Sequence, residues 1–131
     1  MYESLILVDN ESSITIDALA AELQRFYADD KHAPLEISAA SQTITLRWDG
    51  YVLQVAREQL PHVIEESAEI AAQFGADHPA KDRIAKCICR FCITGDDDPD
   101  MMHFNDYLYV GEALDRLGTV YRFDQSTCEF S

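Results

Sequence analysis

The dipeptide Asp49-Gly50 is the feature of this sequence that most constrains its fold. It separates two segments in which apolar and polar residues alternate, a pattern typical of a β-hairpin closed by a two-residue turn. Such a turn fixes the register, so Trp48 is expected to face Tyr51 across the two strands. The side chains that then share the apolar face are Ile44, Leu46, Trp48, Tyr51, Leu53 and Val55. The opposite face is more polar, which predicts that one face packs against a core and the other is at least partly exposed to water.

Apolar periodicity predicts the elements on either side of this hairpin. Strands are expected at residues 2–8, at 35–39, where a third strand joins the hairpin, at 83–94 and at 119–123. Helices are expected at residues 15–28, 60–74 and 99–117. The last helix has Asp98 as its predicted N-cap and Pro99 as its predicted first residue. Residues 125–131 are expected to form a C-terminal tail.

The order of these elements predicts one α+β domain that spans residues 1–131. Strand-helix-strand-strand-helix-strand is the order of a ferredoxin-like core, and an extra C-terminal helix and strand follow it here. We therefore expect a mainly antiparallel sheet with the helices on one face. A length of 131 residues is typical of a single domain.

The net charge limits the classes of partner that the chain can bind. Its 24 acidic side chains outnumber the 10 basic ones, so the formal net charge is -14. Binding to DNA, to RNA or to an anionic membrane depends on Lys and Arg, so neither nucleic acid nor a membrane is an expected partner. A basic protein partner or a cation is compatible with this charge.

The N-terminal segment gives an expectation for the cellular compartment. Residues 1–10 lack the basic start and the long apolar stretch of a signal peptide, and no run of 18 apolar residues would span a membrane. The chain is therefore expected in the cytoplasm. Its four cysteines would be reduced thiols there, namely Cys87, Cys89, Cys92 and Cys128.

The densest acidic cluster comprises Asp96, Asp97, Asp98 and Asp100. Carboxylates at this spacing can converge on Ca²⁺, but the calcium-loop template requires Gly and Glu where this sequence has Met101 and Tyr107. We therefore predict no metal site at this cluster. Its ordinary interpretation is a loop that leads into a helix, and its functional alternative is an anionic contact surface.

The cysteines form the pattern C-x-C-x-x-C at Cys87, Cys89 and Cys92. Zinc sites prefer two short C-x-x-C units or one such unit with histidines, so Cys128 and His103 could complete a site only through tertiary structure. Packing in the core is the favoured interpretation, and a metal or redox role is the alternative. No phosphate-binding loop and no nucleophile motif occurs, so we predict no catalytic residues and no cofactor.

In size, acidic charge and mixed α/β character the chain resembles the immunity proteins of bacterial polymorphic toxin systems, including those that use type VI secretion. The resemblance implies that the protein is not an enzyme and that it binds and neutralises a basic toxin. The segment from Gly95 to Asp106 is the expected site of contact, because acidic residues are densest there. Charge density assigns the contacts to Asp96, Asp97, Asp98, Asp100 and Asp106.

Two other functions are kept as alternatives. The chain also resembles type III secretion chaperones, which are small, acidic α+β proteins, and this resemblance implies a secreted effector as partner and a homodimer. The polar outward face of the hairpin fits poorly with the hydrophobic patches on which such chaperones hold an effector. A small enzyme or metal-binding domain built on Cys89, Cys92, His103 or the aspartate cluster is the other hypothesis.

Overall fold

The computed structural model describes residues 2–131, which form a seven-stranded sheet and four helices. The strands are β1 (Tyr2–Val8), β2 (Glu36–Ala40), β3 (Thr43–Trp48), β4 (Tyr51–Glu58), β5 (Cys89–Gly95), β6 (Val120–Asp124) and β7 (Glu129–Phe130). The helices are α1 (Ile16–Tyr27), α2 (Pro61–Phe74), α3 (Lys81–Ala85) and α4 (Phe104–Leu117). All neighbouring strands are antiparallel. The α+β class and the mainly antiparallel sheet are therefore confirmed.

The hairpin closed by Asp49-Gly50 forms in the predicted register, with Trp48 opposite Tyr51. Gly50 has a φ of 76°, a left-handed conformation that this kind of turn requires and that Gly adopts without strain. All six apolar side chains of the predicted inner face are buried. The third strand is also confirmed, because β2 pairs with β3 through a turn at residues 41–42.

The order of strands in the sheet is β2-β3-β4-β5-β1-β6-β7. A ferredoxin-like core would place β1 between β4 and β5, but here β5 lies between β4 and β1. The ferredoxin-like arrangement is therefore not confirmed. The extra helix and strand are present as α4 and β6, and the short strand β7 lies in the segment expected to be a tail.

β1 is buried on both faces because its apolar residues are consecutive. Ile6 and Val8 belong to the core beneath α1 and α4, whereas Leu5 and Leu7 belong to a second core beneath α2 and α3. A strand with two apolar faces requires cover on both sides. The expectation that the helices lie on one face is therefore wrong: two helices cover each face.

The strand predicted at residues 83–94 is correct only from Cys89 onwards. The residues before it form α3 and a turn that the side chain of Asn10 holds. The Asn10 amide nitrogen donates to the Lys86 carbonyl (2.7 Å), and its oxygen accepts from the Ile88 backbone N–H (3.2 Å). These hydrogen bonds take the place of strand pairing, and they join residues 76 and 78 positions apart, which explains why a local pattern fails to predict them.

α4 begins at Phe104, so residues 99–103 lie outside the helix that was expected to include them. Its N-cap is His103 rather than Asp98. Met101 has a φ of 55°, and this left-handed conformation is incompatible with a right-handed helix at that point. The cause of this backbone reversal lies in the hydrogen bonds of Asp98, described below.

Asp9 follows β1 and attaches α3 to the sheet. Its carboxylate is 2% exposed and accepts hydrogen bonds from Arg83 Nη2 (3.0 Å) and from the Tyr121 hydroxyl (2.5 Å). Burial raises the pKa of this carboxyl, but the hydrogen bonds from Tyr121, from the Glu11 backbone N–H and from Arg83 outweigh it, so the pKa lies below its ordinary value. Asp9 is therefore a buried anion that the surrounding donors keep charged.

We predict that Asp9→Asn lowers the free energy of unfolding by about 2 kcal/mol, because a neutral amide cannot satisfy the same donors. Because the carboxyl has a lowered pKa in the folded state, its stabilising effect is complete above the ordinary value of 3.8 and is lost as the pH falls below it. The variant should therefore show a weaker loss of stability in acid. Urea denaturation at several pH values measures both effects.

Glu11→Gln is the matched control, because Glu11 also pairs with Arg83 (3.0 Å) but its side chain is 86% exposed. An exposed pair contributes little, so the control should change the free energy of unfolding by less than about 0.5 kcal/mol. Equal losses for the two variants would contradict the assigned role of Asp9.

Candidate functional site

The acidic segment at residues 96–102 follows β5 at one end of the sheet. Its first residue, Asp96, remains attached to β4. The Asp96 backbone N–H donates to the Val52 carbonyl (3.2 Å), and the Asp96 carboxylate accepts from the Val52 backbone N–H (3.2 Å). The segment therefore starts from a fixed position on the sheet.

Asp98 is the residue that holds the segment in shape. Its carboxylate accepts from the Tyr2 hydroxyl (2.6 Å) and from the backbone N–H groups of Met102 (3.0 Å) and His103 (2.8 Å). Burial raises the pKa of this carboxyl, but these donors outweigh it, so the pKa lies below its ordinary value. The charged Asp98 carboxylate thus satisfies the backbone N–H groups of residues 102 and 103, which in a longer helix would donate to backbone carbonyls. The helix is therefore not continued here, and the backbone reverses at Met101.

Asp106 is also directed into the protein rather than outwards. It accepts a hydrogen bond from the Tyr27 hydroxyl (2.5 Å) and lies 3.1 Å from His103 Nδ1, and its side chain is 16% exposed. Burial and the neighbouring carboxylate raise the pKa of Tyr27 above its ordinary range, so the hydroxyl stays a donor. Asp106 joins α4 to α1 and is not positioned as a main contact for a partner.

The outward side of the segment combines carboxylates with two methionines. Asp96, Asp97 and Asp100 are exposed, and Met101 and Met102 are 58% and 75% exposed. The two methionines are adjacent and add apolar surface to an acidic segment, and the flexible Met side chain adapts to different surfaces. Of the five aspartates predicted as contacts, these three face the solvent, whereas Asp98 and Asp106 support the segment from within.

An aromatic layer supports the segment from below. The His103 ring stacks on Tyr51 at 4.1 Å between centroids and lies 4.8 Å from Trp48. The Tyr51 hydroxyl is buried without a hydrogen-bond partner among the described residues, and it occupies the space above Gly95. A Cβ at Gly95 would overlap that hydroxyl oxygen, so a larger residue at the end of β5 must displace the Tyr51 side chain.

We predict that Gly95→Ala lowers the free energy of unfolding by about 2 kcal/mol, because the added methyl group displaces the Tyr51 hydroxyl. Tyr51→Phe alone should be neutral or stabilising by about 1 kcal/mol, because it removes a buried donor that has no partner. In the double variant the loss due to Gly95→Ala should therefore be smaller. Equal losses for Gly95→Ala in both backgrounds, measured by urea denaturation, would refute the assigned contact.

A cleft of about 360 Å³ lies between α4 and the edge formed by β6 and β7. Phe104, Tyr107 and Leu108 of α4 form one wall, and Asp124 is among the residues on the other side. The Tyr2 ring stacks on Tyr107 at 4.7 Å, so the residue that holds Asp98 also supports this wall. The cleft can accept an apolar side chain of a bound molecule.

The cysteines do not form a cluster. Cys87 and Cys92 pack with the core beneath α2 and α3, Cys89 packs with the core beneath α1 and α4, and Cys128 is exposed. Burial raises the pKa of the Cys87 thiol to about 12, and burial also raises the pKa values of Cys89 and Cys92. In the described part of the chain, no group of three His, Cys, Asp or Glu side chains could hold a metal ion. The thiols of Cys87, Cys89 and Cys92 therefore lie in two separate cores and are held protonated by burial.

We predict that iodoacetamide at pH 8 labels Cys128 in the native protein at least about 100-fold faster than Cys87, because a buried, protonated thiol is a poor nucleophile. Peptide mass spectrometry measures the labelling at each position. After denaturation the four cysteines should react at similar rates, which serves as the control. Fast native labelling of Cys87 would contradict the inert role assigned to it.

Sequence reasoning located the segment but missed the residues that shape it. Tyr2 gave no signal, because its link to Asp98 joins residues that are 96 positions apart. Met101 and Met102 did carry a signal, since an adjacent apolar pair inside an acidic stretch is unusual for a solvated loop.

Comparison with known proteins adds no family to this description. No protein-family model, curated protein or solved structure matches the chain. Among residues 2–131, no helix combines the length and the apolar character that crossing a membrane requires. The functional proposal therefore depends on the chain's own geometry and charge.

Proposed function

We propose that this protein is a non-enzymatic binding domain that uses the acidic segment 96–102 to bind a basic protein partner. The observation that carries the proposal is the pair of exposed methionines, Met101 and Met102, among exposed carboxylates on a segment that Asp98 holds in shape. A surface that is fixed before binding loses little conformational entropy when a partner covers it.

The charge and the methionines have different roles in such binding. A net charge of -14 attracts a positive partner over distance and speeds the encounter. Once the partner is in contact, Met101 and Met102 bury apolar surface, and Leu108 of α4, which is 37% exposed and lines the cleft, is a further apolar side chain that a partner can cover. Affinity is therefore expected to come from the apolar residues, and the rate of association from the carboxylates.

Within this class, an immunity protein that acts in the cytoplasm is the function that we favour. Such a protein neutralises a toxin by covering a positively charged active site, and an acidic surface is complementary to that target. The small size, the charge and the mixed α/β character support this proposal. The chaperone and the metal- or thiol-dependent enzyme have less support, because the outward face of the hairpin is polar and the thiols are scattered.

The test uses the product of the reading frame adjacent to this gene in the source organism. Co-expression of the wild-type protein should relieve growth inhibition by that product, and the purified pair should bind with an affinity that falls as salt is raised. Met101→Ser with Met102→Ser should weaken binding at least about tenfold, and Asp97→Lys with Asp100→Lys should do the same mainly by slowing association.

Glu65→Lys with Glu69→Lys on α2 is the matched control, because it makes the same change in net charge on another exposed surface. This control should change the affinity by less than about threefold. An equal effect of the two charge reversals would show that only net charge matters, and would overturn the assignment of segment 96–102. A neighbouring product that is neither toxic nor bound would overturn the immunity function.

A further inference from the structure

The outer edge of β2 is open. β2 is the terminal strand of the sheet and pairs only with β3 among the described strands. The two-residue turn makes Ala40 and Thr43 a hydrogen-bonded pair, and the pairing alternates from there along the strand. The backbone N–H and C=O groups of Ile37 and Ala39 therefore point away from β3, and no hydrogen bond from another described residue reaches them.

This edge carries few of the devices that prevent pairing with another strand. Natural sheets protect their edges with Pro, charged side chains, bulges or very short strands. β2 has five residues in regular register with β3 and contains no Pro, and its one charged residue is Glu36 at its start, which pairs with Arg47 of β3. Ser38, Ala39 and Ala40 are exposed and small, so they leave the backbone accessible. At the opposite edge, by contrast, β7 has only two residues.

Most of β2 lies in a part of the sequence that carries no charged side chain. Residues 37–46 form the longest run without Asp, Glu, Lys or Arg in the sequence, although the chain has a net charge of -14. Carboxylates on most other surfaces would repel a second copy of this protein. Asp17 near the start of α1 lies by Ala39 and Ala40, but it shares that cleft with the cation Arg57, so the local charges balance. Two copies can therefore approach each other here with little electrostatic repulsion.

We infer that two copies of this protein form a dimer by antiparallel pairing of their β2 strands, which makes one continuous sheet. A two-fold axis between the two Ser38 residues places Ile37 of each copy opposite Ala39 of the other, so the open backbone groups satisfy one another. In this register Glu36 faces Ala40 of the second copy, and no like charges meet. Because the same surface is used twice, the contact closes at two subunits. The residues of this interface lie outside segment 96–102, so the dimer and the proposed function are tested by different variants.

The test is sedimentation equilibrium of the full chain from about 1 µM to about 1 mM. Wild-type protein should change from monomer to dimer within this range. Ser38→Asp and Ser38→Lys each place two like charges at the two-fold axis, and each should weaken the dimer at least about tenfold. An equimolar mixture of the two variants should restore dimers, because Asp then faces Lys.

The Lys variant also separates repulsion at the two-fold axis from an effect of net charge. Ser38→Lys makes the chain less negative, so an effect of net charge alone would strengthen the dimer, whereas repulsion at the axis weakens it. Gln73→Glu on α2 is the control for Ser38→Asp, because it adds the same charge at another exposed position. It should change the dissociation constant by less than about twofold. Circular dichroism checks that each variant folds, which is expected because Ser38 is exposed.

Wild-type protein that is still monomeric at about 1 mM would overturn the inference. Dimers that neither Ser38 variant weakens, or weakened dimers that mixing does not restore, would also overturn it, because the contact would then lie elsewhere.

Discussion

The burial of β1 on both of its faces is the constraint on which the rest of this structure depends. Ile6 and Val8 anchor one layer of helices, and Leu5 and Leu7 anchor the other. Burying side chains of this kind contributes roughly 1.5–3 kcal/mol each, so a single strand ties together both cores. The residues at the two ends of β1 attach the outer parts of the fold to it. Asp9, which follows the strand, pairs with Arg83 of α3. Tyr2, the first residue of the strand, donates a hydrogen bond to Asp98 of the acidic segment.

The candidate site follows from the same strand. Tyr2 donates to Asp98, and Asp98 in turn accepts the backbone N–H groups that a longer helix would have used. The chain is therefore forced out of helical geometry at Met101, which brings two methionines to the surface beside three carboxylates. A binding function is supported because this surface is both apolar and charged, and because its shape is fixed before a partner arrives.

The features that sequence reasoning predicted correctly are the local ones. The register of the hairpin follows from Asp49-Gly50 alone, because a two-residue turn leaves no freedom in the pairing. The position of β5 beside β1, and the helices on both faces, depend on contacts between distant segments that no local pattern encodes. Asp98 and Asp106 show the same limit, because charge density in the sequence cannot distinguish an exposed carboxylate from one that accepts hydrogen bonds from Tyr2 or Tyr27.

The central claim is that segment 96–102 is a fixed surface held by Asp98, and amide hydrogen exchange tests it most directly. In the wild-type protein at neutral pH, the amides of Met102 and His103 should exchange at least about 100-fold more slowly than in an unstructured peptide. In Asp98→Ala this protection should largely disappear, while the amides of β1 stay protected. Exchange of both amides at unprotected rates in the wild-type protein would show that the segment is not held by Asp98 and would contradict the account.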